Sequence, residues 1–324
     1  MGYGSRVSGF TLLAGMLIAG GTVYGQSYPE RPIRLVVAYA PGGTTDFAAR
    51  LVGPKLSELL GQTIVVDNRP GAGSIIGTEV VARASPDGYT LLLPDTTFGI
   101  VPSIYATRPF DAIKDFTPIT QIMSVDNCLV VNPSLPARTV SDLVALARGK
   151  PNTLTFGSGG VGTPLHMTGE LFNIAAKINL VHVPYKGAGP ALTELMGGQL
   201  TMIFPTLTNV LPFITGGKLR ALAVTGARRS PVLREVPTMV EAGYPALVVT
   251  SWFGLVAPRG TPKKIIERLH SAVAQVLNSP VVRERFETQQ AEVVGSTPDA
   301  FGSFLSGETA KWADIAKSAR IKIN

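Results

Sequence analysis

Two segments in different halves of this chain share one pattern: an apolar run breaks into a glycine-rich turn and continues as a helix. In the first, the run Ile33–Tyr39 leads through Pro41-Gly42-Gly43-Thr44-Thr45-Asp46 into a helix over Phe47–Leu60. In the second, Leu154–Phe156 leads through Gly157-Ser158-Gly159-Gly160-Val161-Gly162 into a helix from Pro164 to about Ala176. Short apolar runs alternating with helical stretches are the mark of α/β architecture. The same reading places strands at Ile64–Val66, Tyr89–Leu93, Cys128–Val131, Leu180–Val183, Thr201–Phe204, Leu219–Val224 and Trp252–Ala257. Helices are expected over Ser74–Ala84, from Thr139 to Arg148, and over Pro262–Leu277, Pro280–Thr288 and Pro298–Ala319. The Pro-, Asp- and Thr-rich stretch before Cys128 reads as irregular, and Pro54 is expected to kink its helix. Two α/β lobes of similar size result, each opening on its own glycine turn.

A glycine turn between a strand and a helix exposes unpaired N–H groups at the positive end of the helix dipole, which suits an anion. Glycine also lets a ligand approach the backbone without meeting a Cβ. If the lobes face each other, both turns look into one cleft. Asp46 either caps its helix or turns its carboxylate toward a ligand hydroxyl, amine or water. Gly157, Gly159 and Gly162 form a literal GxGxxG, but the next strand runs into His182-Val183-Pro184-Tyr185-Lys186-Gly187 with no acid for a ribose, so a dinucleotide site is not expected. Neither turn carries the lysine of a phosphate-binding loop, and no GxSxG or HExxH occurs. With three histidines, His166, His182 and His270, and one cysteine, Cys128, no metal, cofactor or catalytic cluster is expected.

Charge and length narrow the class. The chain has 324 residues, 16% of them charged, with a formal net charge of +7. It is apolar enough to fold and long enough for two domains. The basic residues are scattered rather than striped, which argues against nucleic acid. Arg6, the apolar run Phe10–Ala19 and the small residues around Val23-Tyr24-Gly25 read as a secretory signal cut after Gly25. The run is too short for a span, and no cysteine follows it to carry a lipid. A soluble periplasmic product beginning at Gln26 is therefore expected.

A set of motifs runs in order through the chain: Tyr28-Pro29-Glu30-Arg31-Pro32-Ile33, Ala40–Asp46 with Ala49-Arg50, Asn68-Arg69-Pro70-Gly71-Ala72-Gly73, Ser85–Leu91, Gly157–Gly162 with His166, and His182–Gly187. Val236-Pro237-Thr238, Glu241-Ala242-Gly243, Trp252-Phe253-Gly254 and Gly260-Thr261-Pro262 complete the set. Taken in this order, they resemble the Bug-type periplasmic solute-binding proteins of tripartite tricarboxylate transporters. The resemblance implies a two-lobed periplasmic binding protein fold, each lobe a doubly wound sheet flanked by helices, with the ligand cleft between lobes. Lobe 1 would be residues 26–126 plus 250–324 and lobe 2 residues 127–249, with the C-terminal helices back on the first lobe. The crossings fall near Asp126–Cys128 and Val248–Ser251. Carried over by position, the ligand contacts are Pro41, Gly42, Gly43, Thr44, Thr45, Asp46 and Ser74 on one side. On the other they are Ser158, Gly159, Gly160, Gly162, Thr163 and His166. Thr44-Thr45 and Pro54 depart from the family pattern.

The implied function is capture of a small organic carboxylate, di-, tri- or aromatic, by a monomer that delivers it to membrane subunits of the transporter. No enzymatic activity and no nucleic-acid partner are expected. The alternative is a periplasmic sensor presenting the carboxylate to a membrane signalling receptor. Since neither turn holds Lys or Arg, the carboxylate is expected on backbone N–H groups, hydroxyls and water. The rival is an arginine clamp from Arg50, Arg69 or Arg108.

Overall fold

A computed structural model describes residues 1–4, 28–107 and 109–323. The cleavage site and apolar core of the expected signal, and Arg108, lie outside the described residues. Along the chain run β1 (Ile33–Val37), α1 (Thr44–Leu60), β2 (Ile64–Asn68), α2 (Ile75–Ala82), β3 (Thr90–Leu92), α3 (Thr96–Ile104) and β4 (Phe116–Asp126). Then come β5 (Cys128–Val131), α4 (Val140–Gly149), β6 (Thr155–Ser158), α5 (Pro164–Ala176), β7 (Val181–Pro184), α6 (Ala188–Met196), β8 (Met202–Ile203), α7 (Leu207–Thr215) and β9 (Arg220–Val224). The chain ends with β10 (Thr250–Pro258), α8 (Lys263–Leu277), α9 (Pro280–Thr288), β11 (Ala291–Val293) and α10 (Pro298–Ser318).

These strands form two sheets, one six-stranded in the order β11-β4-β10-β3-β1-β2 and one five-stranded in the order β7-β6-β8-β5-β9. Each sheet is covered on both faces. On the first, Leu35, Val52, Ile122 and Val273 pack with α1, α8 and α9, while Val36, Val81, Trp252 and Phe301 pack with α2, α3 and α10. On the second, Leu129, Leu143 and Phe172 face α4 and α5, and Val130, Leu192 and Val210 face α6 and α7. Burial on both faces is why β5 reads as an unbroken apolar run, with all four residues buried.

The chain passes between the sheets at Asp126–Cys128 and again just before Thr250. Thr225, fully buried, ties the two crossings together. Its hydroxyl accepts from the Asn127 N–H at 3.0 Å and donates toward the carbonyls of Asn127 and Val249. Ser251 Oγ donates to Asn127 Oδ1 at 3.0 Å. A further link comes from α10, which begins on the first sheet through Phe301 and Leu305 and ends with Trp312, Ile315 and Ala316 in the core of the second. The buried Glu308 carboxylate between these halves accepts from the indoles of Trp252 at 3.2 Å and Trp312 at 3.0 Å, and pairs with Lys311.

The elements differ from the sequence reading in instructive places. The stretch expected to be irregular holds α3 and the eleven-residue β4, whose long antiparallel pairing with β10 accommodates Pro118 at an irregularity in the register. The helices α6 and α7 and the short edge strand β11 are also additional. Both helices contain an internal proline and begin beside glycine or threonine, so their local signals point to loops. Conversely α1 is assigned as one helix from Thr44 to Leu60 with Pro54 inside it.

Two measurements test this frame. Thr225→Val keeps the shape but strands the buried Asn127 N–H, and is expected to cost about 1–3 kcal/mol in a urea titration; an unchanged midpoint would mean that the crossings are not held there. Asp126 lies at the first crossing, where burial and the neighbouring Glu292 push its carboxyl up to about 6. A raised carboxyl pKa means that the folded chain binds the extra proton, so the charged form burdens the fold above pH 6 and the burden disappears below about pH 4. Asp126→Asn should therefore raise Tm at pH 7.5 and leave it near the parent value at pH 4.

Candidate functional site: the strand ends between the lobes

The pairing directions dictate where a ligand can meet the chain. In the first sheet β10 enters from the crossing and runs antiparallel to β3, while β1 is parallel to both β2 and β3. The carboxyl ends of β1, β2 and β3 therefore face the second sheet. In that sheet β5 leaves the crossing antiparallel to β8, and β6 is parallel to both β7 and β8. The carboxyl ends of β6, β7 and β8 therefore face the first. Each of these six strands leads into a helix, so α1, α2, α3, α5, α6 and α7 begin on the interlobe side. Ligands of open α/β sheets bind at such carboxyl ends, where helix dipoles add partial positive charge.

Capping sharpens this picture. No side chain caps the first-turn amides of α1, α2, α5, α6 or α7. At the cleft Asp95 caps α3; elsewhere α4 has a full capping box from Thr139 and Asp142 and Thr297 caps α10, while α8 and α9 start without a side-chain cap. Side-chain caps satisfy orphan amides, so their absence at the strand ends leaves those donors to something else.

In the first turn, Gly42 sits at φ +94° with nothing within 4 Å of where a Cβ would be. Its N–H donates to Asp46 Oδ2 at 2.9 Å. The same carboxylate accepts from Arg50 Nε at 2.9 and 3.0 Å and from Asn68 Nδ2 at 3.0 Å. Burial alone raises the Asp46 carboxyl, but the hydrogen bonds from Arg50, Gly42 and Asn68 prevail and hold it below the usual range. This is not the helix cap the sequence left open, since no side chain caps α1; the carboxylate instead holds an amide of the preceding turn. Thr44 and Thr45 are the first two residues of α1, with Thr45 buried, and Pro41 and Gly43 are exposed on the turn. Ser74 closes the turn after β2, and its buried hydroxyl has no hydrogen-bond partner.

The second turn repeats the device with other atoms. The Gly162 N–H donates to His166 Nδ1 at 3.0 Å, so His166, like Asp46, is the third residue of its helix and reaches back to a turn amide. Ser158 is fully buried, and its hydroxyl accepts from the Gly160 N–H at 3.1 Å and shares a 2.6 Å hydrogen bond with His182 Nε2. Thr163 Oγ1 donates to the Gly160 carbonyl at 2.8 Å, and Gly159 lies against Gly187 of the turn after β7. Gly162, at φ +77°, has no room for a Cβ, which would meet Ile104 Cδ1 of α3 at 2.2 Å. The imidazoles of His166 and His182 stack with centroids 3.8 Å apart. Burial, with His182 beside it, lowers His166 to about 3, and burial lowers His182 to about 4.

Around the turns, Tyr39 OH donates to Asp95 Oδ1 at 2.8 Å, and Asp95 caps α3 through the Thr97 N–H. Burial pushes Asp95 up, against the hydrogen bonds from Tyr39 and Thr97. Arg69 pairs with Asp67 at 3.0 Å and Arg50 with Asp46, so both described arginines of the rival clamp are engaged within their own lobe. Behind the crossing strands lies a cavity of about 670 Å³, whose lining includes Asp126, Glu292, Arg228 and Arg229. Among the described residues no cluster could hold a metal ion.

The sequence pointed to two of the six strand ends as candidate turns. It missed Tyr39, Asn68, Asp95, His182 and Thr206 as neighbours of the site. The one available signal for Asp95, Asp-Thr-Thr after an apolar run, is a helix start that Pro94 and Pro102 obscured.

Two doubly covered α/β sheets, joined by crossing strands and presenting helix starts to each other, define a two-lobed binding protein of the periplasmic type. Residues 48–321 match the tripartite tricarboxylate transporter family receptor, and the chain belongs to that family of solute-binding proteins. It is 37% identical to the protein BugT of Bordetella pertussis over 93% of both chains. Among solved structures it is similar to the periplasmic binding protein BugD, with 35% identity, 91% and 99% coverage of this chain and that one, and TM-score 0.78. R. palustris Rpa4515 with adipate gives 38%, 91%, 99% and 0.81 in the same order. MatC (Rpa3494) from Rhodopseudomonas palustris with bound malate gives 32%, 89%, 99% and 0.78.

Acid should find the second turn first. Neutral in the fold, both histidines take up protons in the unfolded chain below about pH 6.5. Their contribution is therefore complete above that pH and is lost as acid approaches pH 4 to 3. His166→Asn, whose Oδ1 can still accept from Gly162, is expected to lose less Tm than the parent between pH 7.5 and 4.5. An equal loss would place the acid sensitivity elsewhere.

Proposed function

We propose that this chain is an extracytoplasmic receptor that captures a small organic carboxylate and hands it to the membrane subunits of a tripartite tricarboxylate transporter. The carrying observation is the set of uncapped helix starts at the facing strand ends. Hydrogen bonds to a charged group contribute about 1.5–3 kcal/mol each, so a few turn amides suffice to hold a carboxylate without a salt bridge. Adipate and malate in two related structures support the ligand class. The lobes in this reading are residues 26–126 with 250–324 and residues 127–249, the last turn of α10 reaching across. They close about Asp126–Cys128 and Val248–Ser251 as both turns engage the ligand. The contacts are Pro41, Gly42, Gly43, Thr44, Thr45 and Ser74 from one side, and Gly159, Gly160, Gly162 and Thr163 from the other. Asp46, Ser158 and His166 act on the ligand by shaping the turns. The monomeric product is exported by residues 1–25 and works in the periplasm.

A thermal-shift screen of mono-, di- and tricarboxylates tests the ligand class. A true ligand at 100 times its Kd stabilises by about 2.7 kcal/mol, and the absence of any shift would remove the carboxylate reading. The mode of capture is tested by Gly42→Val. Its side chain has room in the fold but strains φ +94° and projects from the turn. Folded protein with binding abolished is expected, whereas Arg50→Ala and Arg69→Ala should each retain it. An arginine variant losing more than about 3 kcal/mol while Gly42→Val still binds would favour the clamp. Loss of labelled-ligand uptake in a deletion strain is expected; loss of induction alone would point to sensing instead.

A further inference from the structure

The crossing strands have a second side. In the first sheet β4 and β10 stand between β11 and the strands β3, β1 and β2, so the cavity of about 670 Å³ lies across the crossings from the facing strand ends. Its walls come from both sheets. Ser124, Asp126 and Glu292 line it from β4 and β11, while Leu207, Arg228 and Val232 line it from the start of α7 and the segment after β9. A rotation about the crossings that draws the facing strand ends together therefore parts these walls, since the two spaces lie on opposite sides of one axis.

Asp126, the last residue of β4, sits at that axis. Its carboxylate packs against Gly226 of the opposite wall: a Cβ there would fall 2.2 Å from Oδ2 and 2.6 Å from Oδ1. Glu292 faces Asp126 from β11 and Glu287 from the end of α9, Arg228 and Arg229 from the segment after β9, and the buried Cys128 thiol from the start of β5. Arg229 is paired with Glu241 at 2.9 Å. No hydrogen bond offsets the burial of the Asp126 carboxyl, and burial together with Glu292 pushes it up to about 6.

We propose that Asp126 is a pH-sensitive element of the hinge: ionised, it favours the wide cavity and so the closed cleft, and protonated, it lets the cavity narrow and the cleft open. The inference rests on closure about the crossings as read above. A carboxylate without donors gains by reaching water, and widening the cavity draws the opposite wall away from it. Protonation removes that gain. The sign follows from linkage: the narrow form holds the proton more tightly, so acid favours it. Each unit by which the pKa differs between the two forms changes their ratio tenfold. Capture is thus strongest near neutral pH and weakens below about pH 6.

The test is single-molecule energy transfer on the purified chain, with dyes at Val65→Cys on β2 and Val181→Cys on β7, the outermost strands of the two sheets on the cleft side. Both positions are exposed, 47% and 42%, while Cys128 is fully buried and takes no dye. Without added ligand, the ratio of short to long distances is expected to be at least about threefold higher at pH 7.5 than at pH 5. His166 and His182, lowered to about 3 and about 4, stay neutral over this range. Asp126→Asn should hold the ratio at its pH 5 value throughout, and Glu292→Gln should move the midpoint to lower pH. A ratio that ignores pH, that falls as pH rises, or that changes equally in Asp126→Asn overturns this inference and leaves closure standing, as does an unmoved midpoint in Glu292→Gln. One distance at every pH, unshortened by any acid of the thermal-shift screen, overturns closure and this inference together.

Discussion

The direction in which the chain crosses between its sheets governs this structure. β4 leaves the first sheet at the same edge by which β10 re-enters it, and the two pair antiparallel along nearly their whole length. Once that is set, the antiparallel pairing of β3 with β10 and the parallel pairing of β1 with β2 and β3 leave those three only one way to point, and the pairings of β8 with β5 and of β6 with β7 and β8 do the same in the second sheet. Their carboxyl ends must face each other across the crossing. The glycine turns would have no common ligand if either sheet were entered from its other end. The Thr225 hydroxyl and the Asn127 backbone matter because they hold that crossing together, although neither belongs to a turn.

Given facing strand ends, the electrostatics need few charged side chains. Each lobe uses the third residue of a helix to hold an amide of the preceding turn, Asp46 on Gly42 and His166 on Gly162. The two solutions differ in charge. Asp46 brings a negative charge to the first turn, and Arg50 one helical turn on offsets it. His166 is kept neutral by burial and by stacking on His182, so the second turn is shaped without adding any charge. Both turns are held in place before a ligand arrives, which lowers the ordering cost of binding. The helix dipoles and uncapped amides then supply the attraction.

The sequence made the α/β class and two of the facing turns readable because glycine marks many of the positions where φ is positive or a neighbour crowds the backbone. Gly42 meets the first condition and Gly162 meets both. Much of the remaining site is built from partners distant in sequence. Asn68 reaches Asp46 only because β2 lies beside β1, and His182 reaches Ser158 only because β7 lies beside β6. The missed elements fail for local reasons that tertiary packing overrides. Pro102 and Pro212 stand inside α3 and α7, Pro118 inside β4, and Gly187 starts α6. Burial of Phe98, Ile100, Leu207 and Val210 offsets these poor propensities. Pattern reading weighs the proline and cannot weigh the core.

The crossing strands are not all that connects the halves of this molecule: Thr208 Oγ1 of α7 donates to the Gln289 carbonyl, and the α3–α10 pair further limits how the halves can move. α3 starts at the end of β3 in the first sheet and finishes with Ile104 against Gly162 of the second turn. α10 runs beside it, from Phe301 in one core to Ile315 in the other. Ile323, near the chain's end, pairs with the backbone at Ile104 and Ala106. Glu308 joins Trp252, just after the crossing, to Trp312, in the second core, through one buried carboxylate oxygen. Closure by free rotation about the crossing strands would pull these contacts apart and leave the buried Trp252 indole N–H without its acceptor, a change costly enough to oppose it. A rotation whose axis passes through both the crossing strands and the α3–α10 pair leaves them intact.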